Sequence, residues 1–289
     1  MNKKRKKLTK SHSDHYNIAD KFIVEKFMNA ENIDRQWSNH HTIDEKISPE
    51  QSVNPIGFQF LRKKQYTCGK QTYTIEEYLH TATNIEFSLI PKGDFYMGSN
   101  DSKFSKPVRK GSITKSYLMA KYPCTEEQWE NVMKDTKITT PHAPIVQISW
   151  DQCIEFCKKT GLQLPNEIQW EYACRAGSTT RWSFGDNMAD LTDYAWVKSN
   201  SNKQIQEVGL KKPNAFGLYD MHGNIWEWCE DIWKINYHES KEIINPLAHT
   251  IRGGSFNFPS LFSTSAARSY HVKYNYHIGF RVSYYDNTF

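Results

Sequence analysis

A chain of 289 residues suits one large domain, or a large domain with a small appendage. Aromatics make up 14% of it while mean hydropathy is −0.73, which points to an aromatic core under a very polar surface. No apolar run is long enough to span a bilayer, six scattered cysteines exclude a disulfide scaffold, and a net charge of +5 does not by itself imply a nucleic-acid binder.

Residues 1–60 read as a basic, polar extension, partly disordered or helical, with a helical pattern in ADKFIVEKFMNA. Positive charge is dense only in the tail 3–10, so contact with nucleic acid or an anionic surface is expected only there; the simpler reading is a solvated tail. No apolar segment follows the basic start, so a secretory leader is not expected and the cytoplasm is the expected location. Residues 61–85 read as a lead-in with a short strand and a helix over TIEEYLHTA, and the main domain is placed at 86–285.

From Glu86, EFSLIPKGDFYMGS alternates apolar and polar residues, predicting a strand, a Lys-Gly turn and a second strand. Three helices follow, near 126–135, 150–160 and 167–176. Thr125 with Gln128, Ser149 with Gln152, and Asn166 with Gln169 have the spacing of an N-cap and a reciprocating third residue. Gly161 and Gly177 stand where left-handed C-terminal caps belong. Cys153 and Cys157 lie one helical turn apart, with no CxxC or nearby His to complete a metal site, and read as buried thiols. Pro213, Gly217, Gly223, Gly253, Gly254 and Gly279 punctuate the rest, where HTIRGGSF and IGFRVSYY read as strands between long loops. The sum is an α+β fold with much irregular structure.

FSLIPKGDFYMGS, YPCTEEQWENVM, PIVQISWDQCIEFCKKTGLQLPNEIQWEYACRAGSTTRWSFGDN, KKPNAFGLYDMHGNIWEWCED, IRGGSF and IGFRVSYY occur in this order. Together they resemble the formylglycine-generating enzyme, or sulfatase-modifying factor, family across about residues 86 to 284. The resemblance implies a C-type-lectin-like fold whose first and last strands pair. Trp170, Trp226, Trp228 and Phe280 then read as core aromatics, and Arg268 and Arg281 as structural arginines. His222 reads as a satisfied structural histidine.

In that family the segment matching GLYDMHGNIWEW holds a structural Ca2+. By position Asp220 and Glu227 would supply carboxylates, and Gly223 and Ile225 carbonyls, a hard-oxygen set suited to calcium. The alternative is that both carboxylates pair with Arg, Lys or backbone donors. The family's second calcium site does not transfer onto WVKSNSNKQIQEVG.

The family's oxidases also use copper held by two cysteines, lying after RGG[ST]. In RGGSFNFPSLFSTSAARS, Phe258 and Ser263 stand at those positions without gaps, and no cysteine follows Cys229. Copper and the family's oxidase activity are therefore not expected, and no catalytic residue is assigned. The same stretch offers Phe256, Asn257, Phe258, Phe262, Tyr270, His271, Tyr274, Tyr276 and His277, with no acidic residue among them, as a ligand-binding surface. About half of these rings are expected to pack inward instead.

The leading functional reading is a binding module for a protein or small-molecule ligand, as in family members diversified by retroelements. Lys273 would have to be a fixed position there. The alternatives are an enzyme with thiol-independent oxidative chemistry, a residual oxidase, and a scaffold acting through the basic extension. His12, His15, His40 and His41 lack the HxxxHxE arrangement of the family's iron-binding partner domain.

Overall fold

The computed structural model describes residues 54–235, 237 and 245–285. The basic tail and the ADKFIVEKFMNA pattern lie outside the described residues. Strands β1 (Phe58–Cys68) and β2 (Gln71–His80) form a long antiparallel hairpin. Gly69 turns it at φ +58°, and a Cβ there would stand 2.8 Å from the Phe184 carbonyl oxygen, so the turn requires glycine.

The helix expected over TIEEYLHTA is thus corrected to strand β2. Its Thr, Tyr and Ile residues suit a pleated surface, and neighbours on both sides decide the outcome: β1 on one edge and β3 (Ile85–Ile90) on the other. Glu77, buried in β2, is held by Lys121 at 2.9 Å, by Arg62 at 2.6 Å and by the Tyr66 hydroxyl. A helix would have turned this carboxylate away from those partners.

β3 pairs with β6 (Tyr117–Ala120), which in turn pairs with β11 (Ser283–Tyr284), giving a five-stranded sheet in the order β1-β2-β3-β6-β11. The opening and closing strands therefore flank β6 rather than pairing with each other, which corrects the expected contact. β4 (Gly93–Met97) leaves this sheet to pair with β5 (Arg109–Ile113). Residues 58–80 share the sheet with β3, so the lead-in and the main domain are continuous here.

Helices α1 (Glu126–Met133), α2 (Trp150–Thr160) and α3 (Glu167–Arg175) each begin with the capping box read from the sequence. Gly161 ends α2 in the left-handed region, but α3 ends on Ala176 at φ +45°, with Gly177 the residue after. Trp129 of α1 stacks on Phe156 of α2 at 5.6 Å, and both meet Phe280 edge-on, tying the helices to the closing segment. The single turn α4 (Leu191–Tyr194) precedes a long loop region.

A second sheet has the order β10-β7-β8-β9, from Ile278–Gly279, Trp226–Ile232, His249–Arg252 and Arg268–His271. Trp170, Trp226, Trp228 and Phe280 are all buried, as expected, and all six cysteines are buried free thiols. No helix among the described residues is long and apolar enough to cross a membrane.

Candidate functional site

The loop entering β7 is built from backbone that few residues tolerate. Asp220, Gly223 and Asn224 all have positive φ, and a Cβ on Gly223 would come within 2.2 Å of the Trp196 carbonyl oxygen. That close approach is fixed by hydrogen bonds from Gly223 N to Gly253 O at 2.7 Å and from Asn224 N to Trp196 O at 2.8 Å. The loop, the Trp196 segment and the RGG turn are thus knitted together, and β7 leaves this point with Glu227 pointing into the core.

Glu227 is fully buried. Its Oε2 accepts from Trp170 Nε1 and Arg281 Nε, both at 2.7 Å, and its Oε1 accepts from Arg281 Nη2 at 2.7 Å. Arg281 also donates to the carbonyls of Ala120, Lys121 and Tyr219, so one bidentate pair joins β6, β7 and the closing segment. Asp220 Oδ2 accepts from Gly209 N at 2.8 Å. Burial pushes the Asp220 carboxyl up to about 6, and the nearby Glu227 charge adds to the shift.

Both carboxylates therefore have protein donors, Asp220 from Gly209 N and the Asn224 side chain, while Glu227 Oε1 takes one hydrogen bond of the two it can accept. The set of Asp220, Glu227 and the Gly223 and Ile225 carbonyls consists of hard oxygens beside a buried, incompletely compensated acid. This chemistry fits a hard cation. Among the described residues no three His, Cys, Asp or Glu side chains are gathered at metal-ligand spacing, so carbonyls would have to complete any coordination shell.

His222 is fully satisfied. Its Nδ1 donates to the Ser263 carbonyl at 2.7 Å, leaving Nε2 to accept from Ser183 N at 3.1 Å and Ser183 Oγ at 2.9 Å. Burial pushes the ring down to about 4, so it is neutral at physiological pH. It fastens the 183 and 263 turns together.

The stretch 256–277 divides sharply. Phe256, Phe258, Phe262 and His277 are buried. The Phe258 ring lies edge-on to Trp226, Phe262 and His277 at 5.9, 5.3 and 5.2 Å between centroids. Ser263 is buried too, its Oγ turned to Ser260 O at 2.8 Å. Phe258 and Ser263 are thus a packed ring and an inward-bonded hydroxyl. The tyrosines face outward instead: Tyr270, Tyr274 and Tyr276 are 37%, 62% and 45% exposed, with Val272 at 41% between them. Asn257 joins the two layers, accepting from Ser255 Oγ at 2.6 Å and donating to the Tyr276 hydroxyl at 2.8 Å. His271 is half-buried, its Nδ1 2.7 Å from Lys273 O.

Sequence reasoning overlooked Val272, an aliphatic residue amid the tyrosines. It also missed the buried ionic web in which Arg252 binds Glu171, Arg175 binds Glu171 at 2.8 Å and Arg268 binds Glu167 at 2.6 Å. The spacing of Glu167, Glu171 and Arg175 along one helix face was its only local signal.

The Sulfatase-modifying factor enzyme 1-like domain family matches residues 74–284. The chain belongs to that family. Bovine formylglycine-generating enzyme is 32% identical over 123 residues, which cover 38% of this chain and 33% of that protein. The mouse protein named inactive C-alpha-formylglycine-generating enzyme 2 is 34% identical over 190 residues, covering 61% of this chain and 54% of its own. The chain thus spans only about a third of the bovine enzyme and about half of the mouse protein. PvdO from Pseudomonas aeruginosa superposes with a TM-score of 0.65 at 25% identity, over 72% of this chain and 97% of its own. Treponema denticola variable protein 1 shares the fold, with a TM-score of 0.61 at 23% identity, over 80% of this chain and 99% of its own.

Proposed function

We propose that this sulfatase-modifying-factor domain is a binding module whose contact surface is the outer layer of residues 256–277. The observation that carries the reading is the split between a buried floor of Phe256, Phe258, Phe262 and His277 and an exposed layer of Tyr270, Val272, Tyr274 and Tyr276. Tyrosine gives large contact area for little lost rotamer freedom, and a packed floor holds it in place before the partner arrives. Asn257 and His271 sit at the rim as polar contacts.

A copper oxidase of the family's kind is not supported. With Phe258 and Ser263 at the matched positions, no thiolate stands there to hold soft Cu(I), and the six thiols that exist are buried elsewhere. The naming of the mouse relative as inactive accords with this reading. Asp220, Glu227 and the Gly223 and Ile225 carbonyls would hold a structural Ca2+, whose role is to brace the turn that carries β7 beneath the surface. Diversification of the loop by a retroelement would show as a near-identical template repeat in the source genome.

The test is a partner screen run in parallel with wild type and the triple variant Tyr270→Ala, Tyr274→Ala, Tyr276→Ala. A partner retained by wild type and lost by the triple variant, at matched stability, supports the surface. Equal retention by both contradicts it.

A further inference from the structure

Three stretches far apart in the sequence meet at the tyrosine surface. Gln147 N donates to Asn275 O at 3.1 Å, which brings in residues 141–149. Lys198 N donates to Phe258 O at 3.0 Å and Ser201 Oγ to Phe256 O at 2.7 Å, which brings in residues 195–206. The third stretch, residues 246–285, carries the surface itself. None of the three contains an Asp or a Glu, although the whole chain has 32 of them in 289 residues. Acids resume just outside, at Asp151, Asp193 and Glu207.

The charge left on this face is positive. Lys198, Lys203 and Lys273 are exposed, and among the described residues no carboxylate pairs with them. The arginines of the third stretch add nothing to it: Arg252, Arg268 and Arg281 are buried against Glu171, Glu167 and Glu227. A partner therefore meets ammonium point charges, tyrosine hydroxyls and ring faces, without the guanidinium fork that grips phosphate. Carboxylates suit this set, since they accept from phenolic hydroxyls and ammonium groups and no like charge opposes them. A second copy of the same face would set positive charge against positive, and so would the chain's own basic residues 3–10.

We propose that the partner of this surface is an acidic protein segment, its Asp and Glu side chains interspersed with apolar or aromatic ones. It seats over Tyr274 and Tyr276 and is steered by Lys198, Lys203 and Lys273. The proposal rests on the binding-module reading, to which it adds the partner's charge. No basic run announces this face in the sequence; it arises from acids missing in three stretches that folding brings together.

The experiment uses the full chain with the basic residues of 3–10 replaced by Gln, so that the tail does not compete for anionic probes. Fluorescence anisotropy follows three labelled probes at low and high salt: a peptide of alternating Glu and Tyr, its Lys–Tyr counterpart, and a thymidine oligonucleotide. Each is titrated with the parent protein, with Lys198→Glu/Lys273→Glu and with Tyr274→Ala/Tyr276→Ala, all substitutions of exposed side chains. The parent should bind the Glu–Tyr peptide at least about tenfold more tightly than the other two probes, and less tightly as salt screens the lysines. Each double variant should weaken that binding at least about tenfold, and the charge-reversed one should lose most of the salt dependence. Equal binding of the Lys–Tyr peptide, still lost in Tyr274→Ala/Tyr276→Ala, would overturn the acidic partner and leave the binding surface standing. Tighter binding of the oligonucleotide, lost in the same variants, would overturn it in favour of nucleic acid. If no probe distinguishes the parent from the tyrosine variant, the acidic partner falls as well, and the partner screen alone decides the surface.

Discussion

Replacing Phe258 by Ala should cost far more stability than replacing Tyr274 by Ala, though both are aromatics of one segment. Phe258 is buried and touches Trp226, Phe262 and His277. Truncating it removes three ring pairs, each contributing about 0.5–1.5 kcal/mol beyond burial, and leaves a cavity under the surface. A loss of about 3–5 kcal/mol is expected. For a domain of this size each kcal/mol lowers Tm by about 2–4 °C, so the midpoint should fall by about 6–20 °C. Tyr274 is 62% exposed, and its truncation should change stability by no more than about 0.5 kcal/mol. Urea denaturation followed by tryptophan fluorescence, with thermal melts alongside, measures both. Equal losses for the two variants, or a loss under about 1 kcal/mol for Phe258→Ala, would refute the division into floor and contact layer.

Glu227→Gln leaves the buried Arg281 guanidinium without its counter-charge, and should destabilise by about 3–5 kcal/mol in the same urea assay; a loss below about 1 kcal/mol would show that the pair does not hold β6, β7 and the closing segment together. Calcium should raise Tm relative to a chelator, by about 2.7 kcal/mol of stability at a hundredfold excess over Kd, and Asp220→Ala should abolish the shift. No shift in the wild type would remove calcium from the account. Burial pushes His277 down to about 3, from an ordinary value of 6.5. The unfolded chain therefore binds the proton more readily, so this contribution is complete above pH 6.5 and is lost as pH falls toward 3, at about 1.4 kcal/mol per pH unit. Acid titration of stability should show that slope, and His277→Phe should reduce it.

The helix starts were legible because a capping box is written in four consecutive residues: Thr125, Ser149 and Asn166 each cap as read. The core tryptophans were legible through the family's ordered motifs. What failed was governed by residues distant in sequence. TIEEYLHTA became a strand because β1 and β3 flank it and because Lys121 holds Glu77, and nothing within the segment records either fact. The left-handed C-cap of α3 fell on Ala176, one residue before the Gly177 that the sequence marked. In the candidate site, the sequence marked the aromatic stretch but could not sort it. The phenylalanines turned inward and the tyrosines outward, as the phenolic hydroxyl prefers water or a partner such as Asn257. The pairing of His249 with His271 depends on strand register, which no local pattern fixes.

The central claim is that this domain binds through its surface and does not oxidise cysteine. Its most direct test is aerobic incubation of the purified full chain, with copper and a reductant, with a peptide carrying the sulfatase-type CxPxR sequence. Mass spectrometry then looks for cysteine converted to aldehyde. The account predicts no product beyond a copper-only control. Repeated turnover to aldehyde would contradict it, and would mean that residues other than a thiol pair at Phe258 and Ser263 hold the metal.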